Sequence, residues 1–337
     1  MRSALAVSIL FTAVALQSPP SSWTAQTSGV TTRLRGVSAV NERVVWASGA
    51  QGTVVRSEDG GASWRRLTIP DAEKLDFRDV DAVDERTAYV LSIGNGDASR
   101  IYKTADAGAT WTLQFRNEDP KAFFDAMTFR DARSGFAFSD SIDGKFVILS
   151  TTDGGAQWNR IPETAFPAAL SGEGAYAASG SNIAVRGRRV WIGTTASRVL
   201  RSEDGGTSWT VSNTSLATGP SAGIFSIAFT DDLHGIVVGG DYKLEDQAVN
   251  NAAVTSDGGK TWTAVSGLSG FRSAVAYVSG RKQMVVAVGP RGADESSDGG
   301  KTWKPIPGGG FHAFAMAPNA PVGWGAGEKG AIAKREF

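Results

Sequence analysis

The chain has 337 residues, with 34 Lys plus Arg against 34 Asp plus Glu, 41 Gly and no Cys. A formal net charge of zero without a long basic block argues against nucleic acid or an anionic membrane surface as a partner. Without Cys there can be no disulfide, thiolate metal site or thiol nucleophile, and so much Gly suits an all-β chain with many tight turns.

In chain order, the first segment reads as an export signal. Arg2 precedes the apolar run Ala4–Leu16, and polar, Pro-containing sequence follows over Gln17–Ser22. The run is shorter than the roughly 20 residues a membrane-crossing helix needs. Residues 1–20 are therefore expected to be a secretory signal peptide, and residues 21–337 one exported domain, periplasmic or secreted, with no membrane span after signal removal.

Beyond that segment one short unit recurs. Gly36–Val40 alternates as a strand should, Asn41-Glu42-Arg43 turns, Val44–Gly49 is a second strand, and Thr53–Ser57 is a third. The octapeptide Ser57-Glu58-Asp59-Gly60-Gly61-Ala62-Ser63-Trp64 makes the next turn, and Trp64–Leu67 opens a fourth strand. The second unit repeats this order over Asp79–Val83, Ala88–Ser92, Ile101–Thr104 and onward from Trp111. The octapeptide returns at Asp106/Trp111, Asp153/Trp158, Asp204/Trp209, Asp257/Trp262 and Asp298/Trp303, so that successive Asp residues lie 47, 47, 51, 53 and 41 positions apart. Four short strands per unit at that period define the blades of a propeller.

The Asp can accept backbone N–H groups in its own turn, the Gly pair supplies positive φ, and the Trp packs between neighbouring sheets. These twelve residues, Asp59, Asp106, Asp153, Asp204, Asp257, Asp298 and their six Trp, are therefore assigned to structure. Two copies depart from the pattern: Ala107 replaces the first Gly, and Gln157 replaces the hydroxyl residue. A seventh unit starts near the carboxyl end, where Trp324–Lys334 matches Trp46–Arg56, but the chain stops at Phe337 before a fourth strand. Trp23-Thr24-Ala25-Gln26 is expected to supply it, closing a ring of seven four-stranded blades.

These octapeptides resemble the Asp-box, or BNR, repeats of sialidase-like propellers. The stretch Trp46–Trp64 further resembles the Ycf48/HCF136-like group, whose best-known members are photosystem II assembly factors. The resemblance implies a seven-bladed propeller with its Asp boxes at the periphery, away from the ligand face. It also leaves two kinds of function in view, a partner-binding or assembly role and a sialidase-like hydrolase.

Sorting loops by face places the entrances to the inner strands with the loops joining second to third strands. That face carries Arg35, Arg78, Asp125, Asp140, Glu173, Tyr176, Phe225, Asp241, Tyr242, Arg272 and His312. It also holds four stretches expected to be irregular loops: Gly94–Arg100, Ser139–Lys145, Ala165–Asn182 and Gly240–Asn251. Long loops on a rigid scaffold are where binding concentrates. The expected occupant is a protein, peptide or glycan, and the expected state is a monomer without cofactor or metal, although Asp140–Asp143 leaves an acidic calcium site open. His234 is read as a turn residue of the opposite face.

For the hydrolase, Arg35, Arg78 and Arg272 could grip a carboxylate, with Tyr176, Glu173 and Asp125 for chemistry. However, the Phe/Tyr-Arg-Ile-Pro signature is absent before the first Asp box, and Asn159-Arg160-Ile161-Pro162 follows a box instead. An oxidoreductase is disfavoured further, because no Gly-x-Gly-x-x-Gly follows a strand and Cys is lacking. The reading is a non-catalytic binding propeller, with a carboxylate-based glycosidase as the alternative.

Overall fold

The computed structural model describes residues 23–337, so the expected signal peptide lies outside the described residues. Seven antiparallel sheets of four strands each make up the fold. Their inner strands are Leu34–Ala39, Asp76–Ala82, Phe124–Phe129, Ile183–Arg186, Ala222–Phe229, Ala274–Tyr277 and Ala313–Met316, which number blades 1 to 7. Each blade runs outward in chain order, as expected, and strand boundaries agree with the sequence to within about three residues. One stretch differs. Ser139–Lys145 is not an irregular loop, because strands Gly135–Ile142 and Lys145–Thr151 extend the blade 3 hairpin through it to a two-residue turn at Asp143-Gly144.

Blade 7 is shared between the chain ends. Thr24–Thr27 pairs antiparallel with Ala331–Glu336, with Gln26 opposite Ile332 and Thr24 opposite Lys334. Ser28 Oγ adds a bond to the Gly330 carbonyl at 2.6 Å.

Seven of the eight apolar clusters lie in seams between adjacent blades rather than within one, and the eighth joins Ala178, Phe225 and Phe271. Each of the seven also holds one ring of the octapeptide series: Trp64, Trp111, Trp158, Trp209, Trp262 and Trp303 in six seams, and Trp23 in the seam between blades 6 and 7. Burial is graded. Trp46, Trp191 and Trp324 on the second strands are fully buried, whereas Trp64, Trp111, Trp158 and Trp262 are half-buried. The Asp boxes repeat one hydrogen-bond pattern. Asp59 Oδ1 accepts from Ser57 Oγ (2.8 Å) and the Ser63 N–H (2.9 Å), Oδ2 accepts from Ser63 Oγ (2.6 Å), and Ser57 Oγ receives the Gly61 N–H (2.8 Å). Gly60 and Gly61 have φ of 71° and 91°, and Ala107 adopts φ 63° where the second copy lacks Gly.

Around the axis, buried polar groups tie inner strands together. Asp79 Oδ2 accepts the Met127 N–H at 2.7 Å and Asp81 Oδ2 the Phe129 N–H at 2.7 Å, joining blade 2 to blade 3. Ser226 Oγ accepts the Val275 N–H at 3.0 Å, joining blade 5 to blade 6.

Candidate functional site

The residues entering the inner strands of blades 7, 1 and 2 form a cluster of positive charge at one mouth of the axis. Arg35 Nη1 meets His312 Nδ1 at 2.9 Å, and His312 Nε2 meets Glu328 Oε1 at 2.8 Å. Arg78 Nε donates to Asp76 Oδ2 at 3.0 Å, and its Nη1 donates to the Ala177 carbonyl at 2.8 Å. Arg33 reaches the same Asp76 oxygen at 3.7 Å. Burial, then the charges of Arg78 and Arg33, pull the Arg35 pKa down to about 9, so it stays a cation at neutral pH. Burial and Arg35 hold His312 down to about 4, so its imidazole is neutral there. Among the described residues Arg35 has no carboxylate within salt-bridge distance, and the buried Nε atoms of Arg33 and Arg35 have no hydrogen-bond partner. Arg33 and Arg78 thus share Asp76, Glu328 bonds to the neutral His312, and Arg35 is left without a direct anionic partner: three guanidinium groups face two carboxylates.

Arg272 does not belong to this cluster. It is 1% exposed, pairs with Asp294 through Nε (2.7 Å) and Nη2 (2.5 Å), and donates from Nη1 to the Phe271 carbonyl at 2.7 Å. Glu173 is likewise committed, with both carboxylate oxygens bound by Arg198 and with further bonds from Thr194 Oγ1 (2.7 Å) and the Leu170 N–H (2.8 Å).

Next around the rim stand two other carboxylates. Asp125 is buried, its Oδ2 has no partner, and burial plus the neighbouring Asp140 raise its pKa well above the usual range. Burial lifts Asp140 to about 6, against one opposing hydrogen bond from the Ala175 N–H at 3.2 Å. Asp140 opens with Glu173 and Tyr176 onto a cleft of about 470 Å³, walled also by Thr195, Gly219 and Pro220. Tyr176 stacks on Phe225 at 3.9 Å, with Tyr242 against both rings and Phe271 beneath Phe225. This shelf lies on the Ala165–Asn182 connection and on blade 5. Asp241 caps its own turn, accepting the Lys243 N–H at 2.9 Å.

Of the residues assigned from sequence, the structure therefore gathers Arg35, Arg78 and His312 in one group, Asp125 and Asp140 in a second, and Tyr176, Phe225 and Tyr242 in a third. Arg272 and Glu173 are held in buried ion pairs. Asp143 turns outward to Lys121 at 3.0 Å, and no cluster of three or more metal-ligating side chains occurs among the described residues. His234 lies in the turn of the opposite face, 3.0 Å from Asp231. Sequence reasoning missed Arg33, Asp76 and Glu328. Alternation gave no signal for them, because Arg33 precedes its strand and the register shifts between Leu34 and Gly36 and between Phe77 and Asp79.

The fold is that of a closed seven-bladed propeller with four-stranded blades, and it is shared with proteins of known structure. The chain is similar to a structure described as YCF48 bound to D1 peptide, at TM-score 0.66 and 19% identity over 96% of this chain and 99% of that one. YCF48 from Cyanidioschyzon merolae matches at TM-score 0.64 and 18% identity, over 94% and 99%. The GH74 xyloglucanase from Xanthomonas campestris matches at TM-score 0.65 and 18% identity, over 94% of this chain but 54% of that one. At these identities the likeness is one of fold. No family model matches the sequence, and no curated protein sequence matches it.

Proposed function

We propose that this protein is an exported, non-catalytic binding propeller. It receives an acidic or carboxyl-terminal peptide segment of a partner protein at the mouth formed by Arg33, Arg35 and Arg78. The observation that carries this reading is that Arg35, a half-buried cation beside Arg33 and Arg78, has no carboxylate within salt-bridge distance, while Asp76 is shared by the other two guanidinium groups and Glu328 bonds to His312. A peptide carboxylate supplies the missing anion, and charge-assisted bonds of that type are the strong ones. The aromatic shelf of Tyr176, Phe225 and Tyr242 offers apolar rings for side chains flanking it. The D1 peptide bound by the structurally similar YCF48 supports a peptide as the ligand class. Export rests on Arg2 and the apolar run Ala4–Leu16, and cell fractionation tests it.

Peptides with a free carboxyl terminus should bind more tightly than their amidated forms. Arg35→Gln and Arg78→Gln should each weaken the free acid at least tenfold while narrowing that difference. Equal affinity for acid and amide forms, or wild-type affinity in the double variant, would overturn the assignment.

A second reading rests on Asp125 and Asp140, adjacent carboxyls with raised pKa values, a combination glycosidases use. The GH74 structures share the propeller fold. Turnover of an aryl glycoside or of a β-glucan, lost in Asp140→Asn, would favour this reading. Absence of turnover in the wild-type protein removes it.

A further inference from the structure

The seams between blades are built from equivalent positions that are not all filled alike. Between blades 2 and 3, Tyr89 stacks on Phe129 at 3.7 Å, lies 5.3 Å from the amine of its cross-strand partner Lys103, and donates its hydroxyl to the Gly154 carbonyl at 2.9 Å. Between blades 4 and 5, Trp191 stacks on Phe229 at 3.8 Å and donates Nε1 to the Gly258 carbonyl at 2.8 Å. In both seams an aromatic ring of one blade reaches the first Gly of the next Asp box.

The second Gly of these two boxes marks the ring position. A Cβ placed on Gly155 would lie 3.3 Å from Tyr89, and one on Gly259 would lie 3.2 Å from Trp191. Between blades 5 and 6, a Cβ on Gly300 meets Ile236 instead, at 2.6 Å. Ile236 pairs across strands with Val254, as Tyr89 does with Lys103. Tyr277 ends its inner strand opposite Val285, as Phe129 does opposite Gly135 and Phe229 opposite Gly235. An aliphatic side chain thus stands where a ring is due. Between blades 6 and 7, where Val286 takes the ring position, Met284, Met316 and Phe337 pack into that seam. Between blades 5 and 6 a cavity of about 560 Å³ remains, and Val254, Tyr277 and Gly299 line it together with Thr230, Thr263 and Val265.

We propose that this cavity is a second binding site, on the Asp-box face, for a planar aromatic group with one hydrogen-bond donor: an indole or a phenol. The ring lies between Val254 and Tyr277 and donates to the Gly299 carbonyl, which takes no hydrogen bond among the described residues. The protein's own Tyr89 and Trp191 show both chemistries in the equivalent place. The rim carries Lys282, Lys301 and the Asp231–His234 pair, so the ligand enters through polar surface. The site is on the face opposite the arginine mouth and stands independently of the reading given there.

Titration of the full chain with indole, p-cresol and toluene, followed by amide chemical shifts, tests the proposal. Indole and p-cresol should perturb Thr230, Val254, Tyr277 and Gly299, and toluene should bind at least fivefold more weakly. N-acetyl-tryptophanamide separates the sources: binding comparable to indole assigns the site to a partner's side chain, whereas exclusion of the amide assigns it to a free small aromatic. Ile236→Trp should fill the cavity from within, raise Tm and reduce indole affinity at least tenfold, with binding at the arginine mouth unchanged. Tyr277→Leu keeps an apolar wall without the ring and should weaken indole severalfold even if the Ile236→Trp chain does not fold. Failure of both indole and p-cresol to shift these amides, or wild-type indole affinity in the folded variants, would overturn it.

Discussion

Asp294→Ala tests whether Arg272 is a structural cation or a spare ligand group. In the native protein the Asp294 carboxylate accepts from Arg272 Nε at 2.7 Å, Arg272 Nη2 at 2.5 Å and the Ser269 N–H at 3.2 Å, with both side chains essentially sealed from water. Truncation to Ala leaves a guanidinium at 1% exposure with only the Phe271 carbonyl and Ser269 to solvate it. Breaking a buried pair from one side costs about 3–5 kcal/mol, because the remaining charge is uncompensated. For a chain of this size roughly 2 °C of Tm is lost per kcal/mol, so calorimetry should show a fall of about 6–10 °C. The double change Arg272→Met with Asp294→Leu should recover most of it, since an apolar pair of similar volume is often neutral. A shift under about 1 °C in Asp294→Ala would refute the reasoning and return Arg272 to the candidate group of Arg35 and Arg78.

Trp324→Ala, which empties a fully buried ring site, should cost about 3–5 kcal/mol in denaturant unfolding, and Trp64→Ala, half-buried at the blade edge, clearly less; equal losses would contradict the graded burial of the two tryptophan sets. Hydrogen bonds hold the Asp59, Asp106, Asp204, Asp257 and Asp298 carboxyls down to about 2, burial opposing them, so the stability these groups add is present above the unfolded pKa near 4 and is lost as pH falls from there through 2. Asp153 keeps the Thr151 hydroxyl but receives only a backbone N–H from Gln157, where the other boxes add a second hydroxyl, so a carboxyl NMR titration should place it above those five, and Gln157→Thr should bring it down to them. Asp140 has the opposite sign: its raised pKa favours the fold below about 4 and the benefit is lost as pH rises through 6, so Asp140→Asn should remove a decline in Tm between pH 4 and 6.

Blade number and ring closure were legible because both are written locally and repeatedly. Six octapeptides, the match of Trp324–Lys334 to Trp46–Arg56, and Trp23 ahead of a strand suffice to place every sheet. Of the candidate site, only the strand and loop positions of its residues were legible. Arg35, Arg78 and Arg272 occupy equivalent positions in three blades and look alike in sequence, but Asp294 stands two strands away from Arg272 and neutralises it. Glu173 is claimed in the same way by Arg198, 25 residues further on. Such pairings depend on where a side chain points across a sheet or a seam, and no local pattern carries that information. The unfilled seam is the converse case: Ile236 breaks no rule of strand sequence, and its smallness matters only beside Trp191 and Tyr89.

The shared seventh blade sets an order of assembly. Gln26 meets Ile332, and Ser28 meets Gly330 across 302 residues of chain. Six sheets can form from neighbouring hairpins as the polypeptide emerges, but the last waits for both extremities to find one another, and contacts so distant in sequence form slowly. Until then the inner three strands of that sheet present a bare hydrogen-bonding edge to solvent. A cargo fused at Phe337 therefore loads the final step of folding, whereas an insertion at a turn between complete sheets, such as Asp71, does not.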